Sequence, residues 1–311
     1  MSLSQMVIDN RKPKFSIIIP THNEEKDIRR TLDSVSKLDY LQYEVIIVDD
    51  ASEDSTVEIM QEFIHQFGFT LIRQKKCRGV ASARNRGIKI SRGEILVILN
   101  ADVMLDPDFL TNIEKHYNNG AEYLLVESMV INKNKLFPKF IQANHHYLYN
   151  GQGWINWTEG FSCLRKAAVD IGMFPEDIPG CGGEDAVFGE NLEKKYKKVI
   201  DRSIVVTHVA PQAVHEFWRQ RLSRGRSVLY RMYYVDKIDR KFFKPYLLGL
   251  TFIFIFKLLY LPSFLRETIR IAKKSSNVFI NFFPFCYVNF LDWLGHLVGQ
   301  WQAVFEIDRR D

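Results

Sequence analysis

Acidic and amide side chains follow apolar runs or a tight turn at three places in this chain. The groups are Asp49-Asp50 after residues 45–48, Asn100-Ala101-Asp102 after residues 95–99, and Glu184-Asp185 after the glycine-rich residues 180–183. Acids just beyond the carboxyl ends of buried strands lie in the crevice where open α/β sheets bind ligands. They suit a hard cation and the phosphates that it neutralises. The pattern therefore indicates an enzyme that acts on a nucleotide-activated substrate.

Alternating strand and helix patterns would position these acids. Strands are predicted at residues 15–19, 45–48, 69–72, 94–99 and 199–207, and helices around residues 28–35, 55–67, 78–90, 166–171 and 184–196. Asn23 is predicted to cap the first helix, and Ser55 with Glu58 to form a capping box for the second. From about Tyr123 the pattern is irregular. The alternation predicts a mostly parallel sheet with helices on both faces.

The composition limits the class of protein. The chain has 311 residues, 46% of them hydrophobic, and carries a net charge of +5, which allows one large or two modest folded domains. Four widely spaced cysteines form no CxxC pair, so neither a disulfide framework nor a zinc site is indicated, and a reducing compartment is expected. Residues 1–14 are polar and lack the apolar core of a signal peptide.

The last quarter of the chain differs in character. Nine Lys/Arg stand against three acids between His215 and Lys244, which suits phosphates or an anionic membrane surface, although a solvated helix face has the same composition. Two apolar, aromatic-rich stretches follow, at residues 246–265 and 278–305, with a basic link at residues 266–274 between them. These stretches could span a bilayer, lie on it, or pack as a helical hairpin on protein. We predict membrane association.

Two nucleotide-binding motifs are missing from the sequence. No glycine occurs at residues 19–24, where the first strand ends, so the GxGxxG dinucleotide loop is absent. The P-loop pattern GxxxxGK[ST] occurs nowhere in the chain. Dehydrogenase, ATPase and sugar nucleotidylyltransferase functions are therefore disfavoured.

Ordered blocks over roughly the first 230 residues resemble family-2 glycosyltransferases with the GT-A fold. The blocks are SIIIPTHNEE at 16–25, VIIVDDASED at 45–54, GVASARNRG at 79–87, GEILVILNAD at 93–102, GFSCLRKAA at 160–168, GMFPE at 172–176, GED at 183–185, and residues 208–225. The resemblance implies a GT-A domain at residues 15–230, after an N-terminal tail (1–14) and before a membrane-associated helical region (231–311).

The resemblance also implies roles for individual residues. Donor-binding positions are Pro20, Thr21, Glu24, Asp50, Arg84, Asn100, Ala101, Asp102, Arg219, Arg221 and Arg224. Asn100-Ala101-Asp102 occupies the DxD position with Asn in place of the first acid, which leaves Asp102 as the direct ligand for Mn²⁺ or Mg²⁺. His208 matches a histidine of the family that can approach the metal and is a second predicted ligand. Asp185 corresponds to the general base, with Glu184 beside it. Trp154, Trp157 and Gly160 would shape the sugar and acceptor site, although core packing explains the tryptophans equally well.

These expectations combine into one predicted function. The chain would be an inverting hexosyltransferase that moves one sugar from a UDP- or GDP-linked donor to a lipid-linked or glycan acceptor. It would work at the cytoplasmic face of the cell membrane, contact the membrane surface and bind no nucleic acid. The alternative is a non-catalytic nucleotide-sugar-binding subunit that lost turnover when the first metal acid became Asn100.

Overall fold

The computed structural model describes residues 12–149, 159–179 and 183–310. Trp154, Trp157 and Cys181 lie outside the described residues, as does most of the predicted N-terminal tail. The chain divides into two compact units, and neither is continuous in sequence. The first unit comprises Met1–Ser128, Asn156–Phe174 and Phe188–Val206, and the second comprises Met129–Ile155, Pro175–Val187 and Thr207–Asp311. The predicted boundaries at residues 14 and 230 stay predictions.

Within the described residues the strands form one eight-stranded sheet. They are β1 (Phe15–Thr21), β2 (Tyr43–Asp49), β3 (Thr70–Arg73), β4 (Ile95–Ile98), β5 (Val103–Met104), β6 (Tyr123–Val130), β7 (Phe161–Leu164) and β8 (Lys198–His208). The strand order is β3-β2-β1-β4-β7-β6-β8-β5. β1, β2, β3 and β4 pair in parallel, whereas β7 is antiparallel to β4 and to β6. The predicted α/β sheet is confirmed, and its parallel part is extended by antiparallel strands into a mixed sheet.

The helices are α1 (Ile28–Val35), α2 (Thr56–Phe67), α3 (Val80–Ile90), α4 (Phe109–Asn118), α5 (Leu136–Tyr149), α6 (Arg165–Asp170), α7 (Glu184–Glu193), α8 (Val214–Tyr230), α9 (Phe243–Leu259), α10 (Leu261–Ala272) and α11 (Val278–Arg310). A π-helical segment, Arg231–Val235, and a 3₁₀ turn, Arg240–Phe242, lie between α8 and α9.

The core of the first unit covers both faces of the sheet. Ile17 and Ile19 of β1 pack in a cluster with Leu32 of α1 on one face. Ile18, which points the other way, packs with Ile88 of α3. Successive side chains of a strand alternate between faces, so a strand covered on both sides must be apolar throughout. This explains the uninterrupted apolar runs that the sequence shows at β1, β2 and β4.

The second unit contains the helices of the last third of the chain. α8 and α11 approach closely at two glycines. A Cβ on Gly225 would overlap the backbone of His296, and one on Gly299 would overlap the backbone of Leu222. Phe243 and Leu247 of α9 pack with the last turns of α11. Two helical segments, Arg240–Leu259 and Val278–Arg309, are long and apolar enough to cross a membrane by length and composition.

Two predicted helix caps are wrong. α1 begins at Ile28, not at Asn23, which adopts a left-handed conformation (φ 57°). Asn23 instead accepts a hydrogen bond from the backbone N–H of Glu53 (2.8 Å). Ser55 makes no side-chain cap on α2, and the Asp54 carboxylate accepts the N–H of Thr56 (3.0 Å) in its place. In the first case the competing partner comes from the neighbouring loop, and in the second it is the residue that precedes Ser55.

The other corrections concern element boundaries. The region after Tyr123, predicted to be irregular, contains β6, α5 and β7. The apolar stretch at residues 246–265 is two helices, since α9 ends at Leu259 and α10 begins at Leu261. The basic link predicted at residues 266–274 lies largely within α10. The apolar face of α10, which includes Phe264 and Ile271, is buried. This burial stabilises a helix where a connecting loop was predicted.

Candidate active site

The parallel strands bring the predicted donor-binding residues that follow β1, β2 and β4 to one edge of the sheet. Thr21 at the end of β1 is in register with Asp49 at the end of β2, and Ile18 is in register with Ile98 of β4. Because parallel strands share a direction, the segments that follow them emerge at the same edge. Asp50 and the turn that begins at Asn100 are therefore neighbours of the loop after β1.

The loops after β1 and β2 are joined by hydrogen bonds. The backbone N–H of Asn23 donates to Ser52 Oγ (2.9 Å), and the N–H of Glu24 donates to Thr56 Oγ1 (2.7 Å). Pro20 and Thr21 lie within buried β1. The Thr21 hydroxyl donates to the carbonyl of Val48 (3.3 Å). The two loops are thus held together, with the half-buried Glu24 in the first of them.

The Asp50 carboxylate organises the loop between β3 and α3. It accepts the backbone N–H groups of Arg78 (2.8 Å) and Gly79 (2.7 Å), and the Gln74 side-chain amide (3.0 Å). The Cys77 thiol also donates to it (3.3 Å), and burial followed by this hydrogen bond raises the pKa of that thiol. Asp50 therefore shapes the loop wall, and its contact with a base or ribose stays a prediction.

The turn Asn100-Ala101-Asp102 is held from three directions. The Thr31 hydroxyl donates to the Ala101 carbonyl (2.7 Å), and the Val103 N–H donates to the Asn100 carbonyl (3.2 Å). The Arg84 guanidinium donates to Asn100 Oδ1 (3.0 Å). An Asn100 oxygen that already faces one cation is a poor ligand for a second. This arrangement leaves Asp102 as the carboxylate through which the turn could hold a metal ion.

Arg84 is itself fixed by its surroundings. It is buried, and its guanidinium carbon lies 5.1 Å from the centre of the Phe174 ring. The next residue, Asn85, accepts the N–H of Phe174 (2.9 Å) and donates to its carbonyl (2.8 Å). Asn85 lies within the quoted block 79–87, but its role in fixing Phe174 becomes visible only in the folded chain.

Negative charge is concentrated where the β1 loop meets this turn. Burial, followed by the charges of Asp102, Asp27 and Asp54 in that order of importance, raises the pKa of Glu24 from 4.5 to about 8. Asp27 and Asp54 were not among the predicted site residues, although Asp54 ends a conspicuously acidic run. Crowded carboxylates of this kind are relieved by a bound cation or by protonation.

The donor set fits a hard divalent cation bound together with phosphate. Among the described residues, no group of three or more His, Cys, Asp or Glu side chains is arranged to hold a metal ion. Mg²⁺ at phosphate-transfer sites is usually held by one or two carboxylates and completed by substrate oxygens. Asp102 and the charge surplus around Glu24 suit that arrangement.

The predicted general base lies in the second unit, at the start of α7. Glu184 and Asp185 occupy its first turn, where the helix dipole favours acids. Glu184 is only 4% exposed, whereas Asp185 is partly exposed. Asp185 is thus the acid of the two that a substrate can reach. Its role as base, and its action together with Asp102, stay predictions.

The predicted cations after β8 fall into two groups. Arg219 and Arg224 of α8 are exposed. Arg221 is 2% exposed, pairs with Asp292 of α11 (Nε to Oδ1, 2.9 Å) and lies over the Phe217 ring (4.4 Å). Arg221 is therefore held against α11, and the diphosphate contacts of Arg219, Arg221 and Arg224 stay predictions. His208 ends β8 and is partly exposed, and Gly160 directly precedes β7.

Comparison with known proteins places these residues in context. The model of the family "Glycosyl transferase family 2" matches residues 16–174, just over half of the chain. A poly-beta-1,6-N-acetyl-D-glucosamine synthase of Staphylococcus epidermidis is 28% identical over 235 residues, covering 70% of this chain and 56% of that protein. A dolichol-phosphate mannosyltransferase of Pyrococcus furiosus is 34% identical over 167 residues, covering 50% of this chain and 47% of that protein. The chain thus spans about half the length of these curated relatives.

Solved structures share the fold. A mannosyltransferase from Pyrobaculum calidifontis, in complex with GDP-Man and Mn²⁺, superposes with a TM-score of 0.63 at 20% identity, covering 96% of this chain and 88% of that one. S. aureus TarS 1–349 in complex with UDP superposes with a TM-score of 0.55 at 16% identity, covering 92% of this chain and 90% of that one.

Proposed function

The chain belongs to glycosyl transferase family 2, and we propose that it transfers one hexose from a UDP- or GDP-linked donor with inversion at the anomeric carbon. The observation that carries this proposal is the turn Asn100-Ala101-Asp102 after the parallel strand β4, which Thr31 and Arg84 hold in place by hydrogen bonds. A carboxylate in a fixed turn beyond the end of such a strand suits a cation and a diphosphate. The mannosyltransferase of similar fold that binds GDP-Man and Mn²⁺ supports the proposal of a nucleotide-sugar donor and a divalent metal ion.

Asp102 would hold a Mn²⁺ or Mg²⁺ ion on the donor diphosphate, with His208 as a second candidate ligand. The bound ion would neutralise the charge that develops on the leaving diphosphate. Arg84 keeps Asn100 turned toward itself, so Asn100 would position the turn rather than ligate the metal. The hydrogen bond from the Thr31 hydroxyl to the Ala101 carbonyl also helps to position this turn.

Asp185 would accept the proton of the acceptor hydroxyl as that oxygen attacks the anomeric carbon from the side opposite the leaving nucleotide. Partial exposure of Asp185 and burial of Glu184 favour this assignment of the two acids. Inversion is the expected stereochemical result, because a single displacement occurs and no sugar–enzyme bond forms.

The remaining donor contacts are assigned to the other predicted donor-binding residues. Asp50 would act through the loop that it shapes, offering a wall for the base and ribose. Pro20 and Thr21 would form the floor beneath it. The exposed Arg219 and Arg224 would supply cations for the departing diphosphate.

The acceptor is proposed to be lipid-linked or a glycan, and the working position to be the cytoplasmic face of a membrane. Two helical segments with the length and composition of membrane spans support an acceptor at a membrane. The mannosyltransferase relative from Pyrococcus furiosus is named for a dolichol-phosphate acceptor, which is an acceptor of this class.

A specific observation keeps a second function in consideration. Asn100 stands where a metal-binding acid is expected, and its side chain is engaged by Arg84. A chain that binds nucleotide sugars without turning them over would have this feature. It would still bind a donor but would release no nucleotide.

A donor screen tests both functions. The full chain is mixed with UDP-GlcNAc, GDP-Man and other nucleotide sugars, with Mn²⁺ or with EDTA, and its thermal stability and nucleotide release are recorded. A ligand at about 100 times its Kd stabilises the folded state by about 2.7 kcal/mol. The proposed function predicts a Mn²⁺-dependent shift and slow nucleotide release with one donor. A shift without release, even with lipid-linked and glycan acceptors, would favour the binding subunit, and no shift with any donor would overturn both.

A further inference from the structure

One side of α9 presents a continuous apolar surface to solvent. Phe252 is 71% exposed, Phe256 65% and Leu259 80%. Together with Leu248 and Ile255, these residues form what we call the apolar stripe. Their spacing of three or four residues places them on one side of the helix. A stripe of five large apolar side chains exceeds the scattered exposure that is normal for a soluble surface.

The opposite side of α9 is packed against protein. Phe243 and Leu247 are fully buried, and Phe254 lies 5.9 Å from Phe290 of α11, ring centre to ring centre. Thr251 Oγ1 accepts the indole N–H of Trp301 (3.2 Å). α9 is therefore attached to the second unit along its length, and only its outer side is available for another environment.

The charge on α9 that lies beside the stripe is turned inward. Lys257 donates to Glu267 of α10 (3.1 Å) and lies 3.6 Å from the centre of the Trp293 ring. The Trp293 indole N–H donates to the same carboxylate (3.1 Å). A lysine that faced water would gain little from such pairing. Here the pairing removes a positive charge from a side of the helix that is otherwise apolar, as contact with hydrocarbon requires.

Exposed basic residues lie on α10 and directly after it. Arg266, Arg270, Lys273 and Lys274 are all exposed. Basic residues near an anionic bilayer strengthen attachment by electrostatic attraction. Charges that follow so closely on the stripe complement lipid headgroups at the boundary of an apolar layer.

The same features argue against a path through the bilayer. The helical segment Arg240–Leu259 has 20 residues, about 30 Å at 1.5 Å per residue and so only just the thickness of the hydrocarbon core. Its first half is buried on α11 through Phe243 and Leu247. Continuing through α10 would carry Arg266 and Arg270 into hydrocarbon. α11 is long enough, but Asp292 near its middle pairs with Arg221 of α8, and its last turns pack on Phe243 of α9.

We propose that the second unit binds one leaflet of an anionic phospholipid bilayer through the apolar stripe of α9 and does not cross the bilayer. The stripe enters the acyl boundary while the basic residues of α10 contact headgroups. This inference deepens the proposed function by naming the mode of attachment, and it rests on that function only for the membrane-linked acceptor.

A flotation assay tests the attachment. Full-length protein is floated with vesicles of phosphatidylglycerol and phosphatidylcholine, and the variant Phe252→Glu/Phe256→Glu is compared with the control Leu41→Glu/Val169→Glu. The control positions are exposed apolar residues of the first unit, 88% and 50% exposed. We expect the stripe variant to lose at least about tenfold in partition coefficient, since charged side chains are costly in the acyl region, and the control to match wild type. Equal binding by all three proteins, or no binding by wild type, would overturn the proposal. Stable wild-type oligomers in which a second copy covers the apolar stripe would also overturn it.

Labelling from one side tests whether the chain crosses. Lys241→Cys and Lys273→Cys are at exposed sites before α9 and after α10. Each is made in a background in which Cys77, Cys181 and Cys286 are replaced by serine, and each variant is added to preformed vesicles. A membrane-impermeant maleimide should label both sites from outside. If one of them is labelled only after solubilisation, α9 crosses the bilayer and the proposal is wrong. Thermal melting checks folding, and donor binding by the stripe variant separates failure of attachment from failure of the proposed function.

Discussion

Replacing Glu24 by glutamine should remove a pH-dependent penalty on folding. Burial, followed by the charges of Asp102, Asp27 and Asp54, raises the pKa of Glu24 from 4.5 to about 8. A group whose pKa is higher in the folded chain makes its full contribution to stability below its unfolded value of 4.5 and loses it as the pH rises through about 8. Glutamine resembles the protonated acid in shape and cannot ionise. Glu24→Gln should therefore match wild type in acid and exceed it at neutral pH.

The size of the effect follows from these two pKa values. One pKa unit corresponds to about 1.4 kcal/mol. With values of 4.5 and about 8, ionisation of Glu24 lowers the free energy of unfolding by about 1 kcal/mol at pH 5 and about 3 kcal/mol at pH 7. Titration of groups shared by wild type and variant cancels in their difference. The stability advantage of Glu24→Gln should thus grow by about 2.5 kcal/mol between pH 5 and pH 7.

Urea unfolding of the full chain at pH 5, 6, 7 and 8 measures this difference. EDTA is present throughout, because a bound cation near Asp102 would offset the repulsion. Glu53→Gln serves as the control, since Glu53 is exposed in the adjoining loop and its hydrogen bond to Asn23 uses the backbone. The control should run parallel to wild type. If Glu24→Gln also runs parallel to wild type, Glu24 is ionised without penalty and the account of charge crowding is wrong.

The other predictions concern the proposed reaction. Asp102→Ala should make the donor Kd in Mn²⁺ equal to that in EDTA by isothermal titration calorimetry, and an unchanged Mn²⁺ enhancement would exclude Asp102 as a ligand. Asp185→Asn should keep its donor affinity and lose about 10²–10⁴-fold in turnover, measured as nucleotide release, whereas near-normal turnover would shift the role to Glu184. Asn100→Asp should pair with Arg84 and gain about 1 kcal/mol in stability, because hydrogen bonds between charged partners are stronger. Mn²⁺ binding that became tenfold tighter in this variant would instead make residue 100 a metal ligand.

Local sequence patterns predicted most of the sheet. β1, β2 and β4 coincide with uninterrupted apolar runs, because each strand is buried on both faces. Such runs can be recognised from consecutive residues alone. β8 was predicted at residues 199–207, but β6 and β7 were missed. β6 carries partly exposed Glu127 and Met129 within its apolar run, which breaks the pattern. The cap at Asn23 was wrong because its partner, Glu53, comes from another loop, 30 residues away. The cap at Ser55 was wrong because the preceding Asp54 accepts the N–H of Thr56 instead.

The sequence by itself determined the family, the parallel strands and the acids at their carboxyl ends, because ordered motifs and hydrophobic runs are properties of neighbouring residues. Only the tertiary structure decided what those side chains face. Asp50 is turned to the loop after β3, Asn100 to Arg84, and Lys257 to Glu267. Hydrogen bonding and charge burial depend on groups brought together from distant parts of the chain, so identical residue types acquire their roles only once the chain is folded.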